Sequence, residues 1–305
     1  MSKVAAIDIG TNSTRLLVAD VDDPTGPLTT IDRRTRITRL GQGVNETRRL
    51  DPEAIARTLA VLDEYAQAIR EHGAQRVRMT ATSASRDASN RADFFDPAER
   101  LVGVRPELIS GEEEAVLEFT GATNGLTEPE PYLLIDVGGG STEFIAGAAR
   151  PDGLISVDIG CVRLTEQYLH SDPPTPEELS VAVSTVRDFL ADVDRAVPGA
   201  AHAKTLIGTA GTVWTMGAIE LGVDASDSAR IHHSRLSRAA AEEIFRTLAT
   251  EPIEVRRHNP GLEPGRVDVI VGGVIVVVTA MRHWGFDELL VSEADILDGL
   301  VRSIA

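Results

Sequence analysis

The chain carries the phrase AAIDIGTNSTRLLVADV at residues 5–21, and a related phrase, LLIDVGGGSTEFIAGA, at residues 133–148. When the two are superimposed, Asp8 matches Asp136, Gly10 matches Gly138, and the Ser-Thr pair after each turn also matches. Apolar runs flank each glycine turn, a pattern that predicts strand, tight turn and strand. Because glycine has no Cβ, backbone N–H groups in such a turn can converge on an anion. The repeat therefore predicts two related half-molecules with phosphate chemistry between them.

The composition limits the class of protein. The chain has 305 residues, of which 42% are hydrophobic and 25% charged, enough for one large domain or two medium ones. A single cysteine, Cys161, excludes an internal disulfide and a cysteine-rich zinc site. No secretory signal precedes the first apolar run, and the longest apolar stretch, residues 267–281, is shorter than the ~20 residues of a membrane span. We therefore expect a cytoplasmic protein with no membrane partner.

The net charge of −17 argues against binding of a nucleic-acid polymer, which requires a basic surface. A polyanionic substrate then needs locally concentrated positive charge or a divalent cation. Six arginines crowd one segment: Arg33, Arg34, Arg36, Arg39, Arg48 and Arg49. They either supply that local charge or form an ordinary solvated surface. No Gly-Lys-Ser or Gly-Lys-Thr occurs in the sequence, which excludes a P-loop NTPase.

Strand and helix patterns alternate along both halves of the chain and predict an α/β fold. Residues 51–72 predict an amphipathic helix, with Asp51 as its N-cap and Pro52 in the first turn. Residues 267–278 are rich in β-branched side chains, which favour a strand, but their length and Gly-Gly pair also allow a buried helix. We predict a helix for this segment.

Further phrases follow the first one in a distinctive order. They are ATSASRDASN (81–90), ISGEEEAVLEFTGA (109–122), the second glycine phrase, IGCVRLTEQYL (159–169), GTAGT (208–212) and PGRVDVIVGG (264–273). In this order the chain resembles, over essentially its full length, the exopolyphosphatase/guanosine-pentaphosphate phosphohydrolase (Ppx/GppA) family of the actin-like ATPase superfamily. Its closing phrase, VSEADILDGL, resembles actinobacterial members of the short, two-domain form.

The resemblance implies a fold of two actin-like (ribonuclease H-like) domains flanking an interdomain cleft. We place the first domain at residues 1–123 and the second at residues 124–292, with a closing helix at residues 293–305 that packs back on the first domain. The resemblance also implies a hydrolase that removes the terminal phosphate of inorganic polyphosphate, or of guanosine pentaphosphate as the alternative substrate. The acidic composition and the absence of further helical domains favour short chains or the nucleotide, and a homodimer is compatible with the family.

Glu114 is the predicted general base. Hydrolysis of a phosphoanhydride needs an oriented water and a base, and the family's base is the glutamate directly before alanine in the SG-x-EEA phrase. Glu113 is the second candidate, because neighbouring helix positions face about 100° apart. Alternatively, the acidic run only favours the helix N-terminus. Arg86 is the predicted partner on the phosphate oxygens, for which a guanidinium is suited, and its alternative role is a salt bridge to neighbouring acids.

The glycine turns are the predicted phosphate-binding elements, and plain tight turns are the alternative. The residues assigned to phosphate are Thr11, Asn12, Ser13, Gly138, Gly139, Gly140 and Ser141, with Asn90 to orient a loop or a phosphate, and Gly208, Gly211 and Thr212 in a third turn before a helix. Asp136, Glu143 and Asp8 are predicted to hold Mg²⁺ or Mn²⁺, since carboxylates are poor neighbours of phosphate and good ligands of Mg²⁺. Hydrogen bonding of these acids within their own turns is the alternative. The histidines, including His232 and His233, show no metal-like grouping and are predicted to be structural or surface residues.

Two other classes of function remain open at the level of sequence. An actin-fold kinase would need a larger insertion for a sugar domain, and the EEEA phrase is unlike a kinase. A catalytically silent nucleotide sensor is the second alternative, and the presence of Arg86, Glu114 and Asp136 argues against it.

Overall fold

The computed structural model describes residues 2–22, 28–81 and 83–305, apart from the side chains of residues 45, 83 and 84. The chain forms two compact units: the residues through Leu126 together with Ala294–Ala305, and Thr127–Glu293. The boundaries between the units fall at 126/127 and 293/294, close to the predicted domain boundaries at 123/124 and 292/293. Helices and strands are mixed in both units, so the predicted α/β class is confirmed.

A sheet forms the centre of the first unit. Its five strands are β1 (Ser2–Ile9), β2 (Ser13–Val21), β3 (Thr29–Ile37), β4 (Arg76–Ala81) and β5 (Glu107–Leu108). The spatial order is β3-β2-β1-β4-β5, with β1, β2 and β3 antiparallel in sequence and β4 and β5 parallel to β1. Because of these directions, the turn after β1 and the segments after β3, β4 and β5 all lie at one edge of the sheet.

Helices cover this sheet and connect its strands. They are α1 (Val44–Thr47), α2 (Pro52–His72), α3 (Ser83–Asp87), α4 (Ala92–Val102) and α5 (Gly111–Thr123). The predicted cap of α2 is confirmed, since Asp51 Oδ1 accepts from Glu53 N at 2.9 Å and from Ala54 N at 3.1 Å. The buried face of α2, including Leu62, Tyr65 and Ile69, packs in a core with β1, β2 and β4.

The second unit repeats the arrangement of the first. Its strands are β6 (Tyr132–Val137), β7 (Thr142–Gly147), β8 (Pro151–Val157), β9 (Thr205–Thr209), β10 (Arg235–Ser237) and β11 (Glu288–Val291). The order is β10-β11-β9-β6-β7-β8, in which β6, β7 and β8 are antiparallel, β9 is parallel to β6 and β11 is parallel to β9. Only β10, an added antiparallel edge strand, has no counterpart among the described strands of the first unit. The repeated phrase therefore marks a repeated architecture.

The helices of the second unit surround a large apolar core. They are α6 (Cys161–Tyr168), α7 (Pro176–Ala196), α8 (Ala210–Leu221), α9 (Ser228–Ile231), α10 (Arg238–Thr250), α11 (Ile253–Arg256) and α12 (Ile270–Trp284), with 3₁₀ turns at Pro198–His202 and Pro264–Arg266. The prediction of a helix at residues 267–278 is confirmed by α12. Every residue of α12 from Ile270 to Met281 is buried, so its valines fill a core where tertiary packing outweighs their β propensity. Over the described ranges, none of the helices has the length and apolarity that crossing a bilayer requires.

The last helix, α13 (Ile296–Ser303), belongs to the first unit and packs against α5. A Cβ added at Gly121 of α5 would lie 1.9 Å from Asp295 O, and one added at Gly299 of α13 would lie 2.1 Å from Leu117 O. The two backbones are therefore in direct contact. The Glu118 carboxylate adds a bond across the pair by accepting from Ile296 N at 2.6 Å. The helix that carries Glu114 is thus fixed to the end of the chain.

Candidate functional site

The two glycine turns have the same geometry. Gly10 N donates to Ser13 O at 2.9 Å, and Gly138 N donates to Ser141 O at 3.1 Å. The threonine after each turn is buried and bonds the segment that follows the third strand of its sheet. Thr14 Oγ1 is hydrogen-bonded to Thr38 Oγ1 at 2.9 Å, and Thr142 Oγ1 donates to Ile159 O at 2.7 Å. The sequence repeat therefore extends to the bonds that hold each turn.

In the first turn, the carbonyl groups are held from one side. Thr38 N and Arg39 N donate to Asn12 O at 3.0 and 2.9 Å, and Gly41 N donates to Thr11 O at 2.9 Å. In a planar trans peptide the C=O of one residue and the N–H of the next point in opposite directions. The N–H groups of Asn12 and Ser13 are therefore directed away from the segment that holds the carbonyls. This side of the turn has the donors that an anion requires.

The second turn is held in the same way by the start of α6. Cys161 N donates to Gly138 O at 2.9 Å, and Val162 N donates to Gly139 O at 2.9 Å. Gly160 makes this approach possible, because a Cβ there would lie 2.5 Å from Gly139 O. The N-terminal amides of α6, which have no partner within the helix, are thus satisfied by the turn.

A side chain holds the remaining carbonyl of the second turn. Arg163 N donates to Gly139 O at 3.1 Å, and Arg163 Nε donates to Gly140 O at 2.8 Å. By the same peptide geometry, the N–H groups of Gly139, Gly140 and Ser141 point away from α6. Sequence reasoning assigned the turn residues to phosphate and missed Arg163. The assignment of both turns to phosphate stays a prediction, and their amide directions are those that it requires.

Asp8 lies at the end of β1 and is 1% exposed. Its Oδ2 accepts from Arg15 Nη2 at 2.6 Å and from Arg15 Nε at 3.2 Å, and its Oδ1 accepts from Thr80 Oγ1 at 3.4 Å. Burial raises the pKa of the Asp8 carboxyl, and the charge of Arg15 opposes this effect. Arg15 also pairs with Asp295 at the start of α13. Asp8, a predicted metal ligand, is therefore already paired with the guanidinium of Arg15. Its role as a metal ligand stays a prediction.

The second hairpin pairs two acidic residues across its strands at the positions where the first hairpin pairs an aspartate with an arginine. Asp8 and Arg15 are cross-strand partners in the first hairpin, and their counterparts in the second, Asp136 and Glu143, are cross-strand partners as well. Both acids are buried, and Glu143 Oε1 accepts from Ser156 Oγ at 2.7 Å. Two buried carboxylates side by side repel each other, and a cation offsets that repulsion. The signal for this contrast in the sequence is the difference between Arg15 of the first phrase and Glu143 at the matching position of the second.

The donor set of this acid pair fits Mg²⁺. In proteins Mg²⁺ is usually bound by one or two carboxylates, together with water and substrate phosphates. Within residues 2–22, 28–81 and 83–305, no group of three or more His, Cys, Asp or Glu side chains gathers in a way that could hold a metal ion. Asp136 and Glu143 supply the number of carboxylates that this Mg²⁺ mode uses, and their assignment to a metal stays a prediction.

The predicted base and its predicted partner are in contact. Arg86 Nη2 donates to Glu114 Oε2 at 3.2 Å and to Ile109 O at 3.1 Å. The Glu114 side chain is 13% exposed, and Ser110 caps its helix by accepting from Glu113 N at 3.1 Å. Both residues follow strands that end at the same sheet edge as the first glycine turn, because β4 and β5 run parallel to β1. The salt bridge proposed as an alternative for Arg86 exists, and its acid is Glu114.

Glu113 faces a different neighbour. Arg78 Nη2 contacts Glu113 Oε1 at 2.6 Å and Glu107 Oε2 at 2.9 Å. The Glu113 side chain is 47% exposed, whereas that of Glu114 is 13% exposed. The helical rotation between adjacent positions thus separates the half-exposed carboxylate of Glu113 from the more enclosed carboxylate of Glu114.

Asn90 orients a loop. Its Oδ1 accepts from Leu50 N at 2.7 Å, and its Nδ2 donates to Leu50 O at 3.1 Å. These bonds correspond to the first of the two roles considered for Asn90. Its assignment to phosphate stays a prediction.

The residues of the third turn make packing contacts. The position of a Cβ on Gly208 is occupied by side-chain atoms of Val213 and Leu289, and that on Gly211 by the guanidinium of Arg266. Arg266 is buried and pairs with Glu263 through Nε at 2.6 Å. Thr212 is also buried and lies against Gly273 of α12. Sequence reasoning missed Arg266, and the assignment of the third turn to phosphate stays a prediction.

The two histidines form a stacked pair. The rings of His232 and His233 are 3.7 Å apart between centroids, and His232 Nδ1 accepts from Glu293 N at 3.0 Å. Burial lowers the pKa of His233. These contacts agree with the structural role expected for both residues.

The arginine-rich segment divides into inner and outer members. Arg33 Nη2 contacts Asp298 Oδ2 at 2.6 Å, and Arg34 Nη2 contacts Asp32 Oδ2 at 2.6 Å. Arg48 and Arg49 lie at the surface. Part of the cluster is therefore used in internal ion pairs, which neither of the two interpretations from sequence included.

Comparison with known proteins identifies the family. The sequence profile of the Ppx/GppA phosphatase family matches residues 17–305. The chain belongs to this family. Exopolyphosphatase 2 of Mycobacterium tuberculosis is 46% identical over 317 aligned positions, which cover 100% of this chain and 99% of the relative.

Solved structures agree with this membership. An exopolyphosphatase-like protein is 38% identical, with a TM-score of 0.93 over 98% of this chain and 97% of that chain. The Ppx/GppA family member of Aquifex aeolicus is 33% identical, with a TM-score of 0.83 over 99% of this chain and 97% of that chain. The family resemblance stated from six sequence phrases is therefore confirmed.

Proposed function

We propose that this protein is an exopolyphosphatase, which hydrolyses the terminal phosphoanhydride bond of inorganic polyphosphate and releases orthophosphate. The observation that carries the proposal is the contact of Glu114 with Arg86 at the sheet edge where the first glycine turn lies. Membership of the Ppx/GppA phosphatase family and the 46% identity to an exopolyphosphatase support it. Short chains are the favoured substrates, as the acidic composition indicates.

The proposed reaction uses Glu114 as a base. Its carboxylate takes a proton from water while the water oxygen forms a bond to the terminal phosphorus. The bond from that phosphorus to the bridging oxygen breaks, and the shortened chain leaves with the bonding electrons. Arg86 and the amides of the first glycine turn bind the phosphoryl oxygens, where negative charge must be stabilised, and the amides of the second turn are predicted phosphate ligands as well. Arg86 also orients the Glu114 carboxylate through their mutual contact.

A substrate panel tests the proposal. Purified protein with Mg²⁺ is incubated separately with tripolyphosphate, long-chain polyphosphate, guanosine pentaphosphate and ATP, and orthophosphate is measured. We expect release from tripolyphosphate and, more slowly, from the long chain. Release from guanosine pentaphosphate alone would replace the proposal by its alternative, in which the same bond is broken in a nucleotide. Transfer from ATP to an acceptor would indicate a kinase, and tight nucleotide binding without turnover would indicate a sensor.

The cytoplasmic location and the homodimer stay predictions.

The proposal includes a divalent cation held by Asp136 and Glu143, with Asp8 as the third predicted ligand. When bound, Mg²⁺ or Mn²⁺ would supply positive charge to phosphate oxygens. We expect chelation by EDTA to abolish phosphate release and either metal to restore it.

Glu143→Gln is expected to weaken Mn²⁺ binding, measured by electron paramagnetic resonance, by about 10-fold or more, because loss of even an outer partner of a metal ligand commonly costs 10–100-fold in metal affinity. Glu177→Gln, an exposed acid of the same unit, is the control. Equal Mn²⁺ affinity in the two variants would remove Glu143 from the metal site.

A further inference from the structure

The two glycine turns differ in the group that donates a hydrogen bond to one of their carbonyl oxygens. Asn12 and Gly140 occupy matching positions in the repeated phrases. Asn12 O accepts from two backbone amides, those of Thr38 and Arg39, whereas Gly140 O accepts from the side-chain Nε of Arg163 at 2.8 Å. At this position the hydrogen-bond donor is a side chain in the second unit and the backbone in the first.

The bond to Gly140 O sets the direction of a neighbouring amide. The C=O of Gly140 and the N–H of Ser141 belong to one planar peptide, so a bond that fixes the carbonyl also fixes the N–H on the opposite side. The backbone amides at the start of α6 bond Gly138 O and Gly139 O, and Arg163 Nε bonds the remaining carbonyl of the turn. Substitution of Arg163 therefore frees the last peptide of the turn while the first two stay held.

The surroundings of Arg163 suit a fixed role. Its side chain is 13% exposed, and its own backbone amide bonds Gly139 O, so both ends of the residue are tied to the turn. The ion pair with Asp158, which lies 3.7 Å from Nη2 and is 78% exposed, contributes little to holding the guanidinium. The hydrogen bond from Nε to Gly140 O, at 2.8 Å, is shorter and more directional than this ion pair.

We propose that Arg163 is a positioning residue for the second phosphate turn. Its Nε–H holds the Gly140 carbonyl so that the Ser141 N–H is directed at a phosphoryl oxygen of the substrate. This inference rests on the proposed function, because it assigns a role within the site that binds phosphate. The ligand class is the phosphoryl group of a linear phosphoanhydride.

Three substitutions separate the hydrogen bond from the charge. Glutamine places its amide nitrogen the same number of bonds from Cα as the Nε of arginine, and it carries no charge. Lysine keeps the charge but has a methylene group at that position, and alanine removes both. With tripolyphosphate, we expect Arg163→Ala and Arg163→Lys to lower kcat by about 10-fold or more, since loss of one donor of this kind costs up to 10²–10³-fold. Arg163→Gln is expected to stay within about threefold of the unaltered protein, and KM should change less than kcat in all three.

A second measurement follows the amide directly. In ¹⁵N-labelled protein titrated with orthophosphate, the Ser141 N–H signal should shift in the unaltered protein and in Arg163→Gln. In Arg163→Ala and Arg163→Lys the shift should be strongly reduced. Arg195→Ala is the matched control, because Arg195 is an exposed arginine of the same unit and its loss changes the net charge equally. That variant should behave as the unaltered protein in both measurements.

The outcomes decide between distinct roles. An active Arg163→Lys with an inactive Arg163→Gln would overturn the proposal, since charge rather than the donated bond would then matter. Activity within twofold for all three variants would also overturn it. If Arg163→Ala fails to fold by circular dichroism, the glutamine and lysine variants still decide the question. An unaltered protein that releases no phosphate from any polyphosphate would refute the proposed function, and the orthophosphate titration would still test Arg163.

Discussion

Replacement of Glu114 by glutamine is expected to lower kcat for tripolyphosphate by about 100-fold or more, the usual scale for loss of a general base. Glutamine has nearly the same shape, but its amide cannot accept the proton that the attacking water must lose. Because Arg86 contacts the position from a second segment and Ser110 caps the helix, the fold around residue 114 should be retained. Orthophosphate release gives kcat and KM, and circular dichroism with a thermal melt verifies folding.

Glu113→Gln provides the control for this experiment. It makes the same chemical change one position earlier on α5, where the carboxylate pairs with Arg78 and is 47% exposed. Exposed ion pairs contribute about 0–1 kcal/mol, so both stability and kcat should stay close to those of the unaltered protein. A near-normal rate for Glu114→Gln would refute the assignment of the base. A loss in Glu113→Gln as large as that in Glu114→Gln would point to the acidic helix start as a whole.

Gly299→Ala is expected to destabilise the first unit by about 1–3 kcal/mol or more, the range for forced overpacking of a core. The new Cβ would lie 2.1 Å from Leu117 O, so the backbones of α5 and α13 would have to separate. Separation would also strain the bond from Ile296 N to Glu118 and the ion pairs of Asp295. Thermal unfolding by circular dichroism measures the loss. Hydrogen exchange should quicken in peptides from residues 111–123 and 294–305.

The matched control for the glycine is Gly217→Ala in α8. There the nearest atoms to the added Cβ would be methyl groups of Ile231 and Val291 at 3.2 to 3.4 Å, which a shift of a few tenths of an ångström would relieve. The higher helix propensity of alanine, about 1 kcal/mol, should offset much of the crowding, so the net change should stay within about 1 kcal/mol. Equal melting temperatures for Gly299→Ala and the unaltered protein would show that the two helices can move apart at little cost.

Much of the fold followed from short-range patterns. The apolar runs around each glycine turn predicted the two hairpins, because alternation and turn chemistry act over a few residues. The Asp51-Pro52 pair predicted the start of α2, and its cap was observed. The helix at residues 267–278 was less determined, since its valines favour strands in isolation. Burial of the whole segment from Ile270 to Met281 decided the outcome.

The candidate site shows a sharper division. The sequence, with the family resemblance, singled out Glu114 and Arg86, and the structure placed them 3.2 Å apart. It did not reveal that Arg15 neutralises Asp8, that Arg163 holds Gly140, or that Arg266 covers Gly211. These partners are ordinary arginines in a chain with many, and no local pattern distinguishes them.

The amino-acid sequence by itself determined the duplicated hairpins, the α/β class, the family and the candidate acids, because each depends on residue order within a short segment. The tertiary structure alone decided which charges meet. Arg15 pairs with Asp295 although 280 residues separate them, and Arg163 reaches a carbonyl 23 residues before it. Such contacts depend on the directions in which strands and helices leave the sheets, and those directions are fixed only when the whole chain has packed.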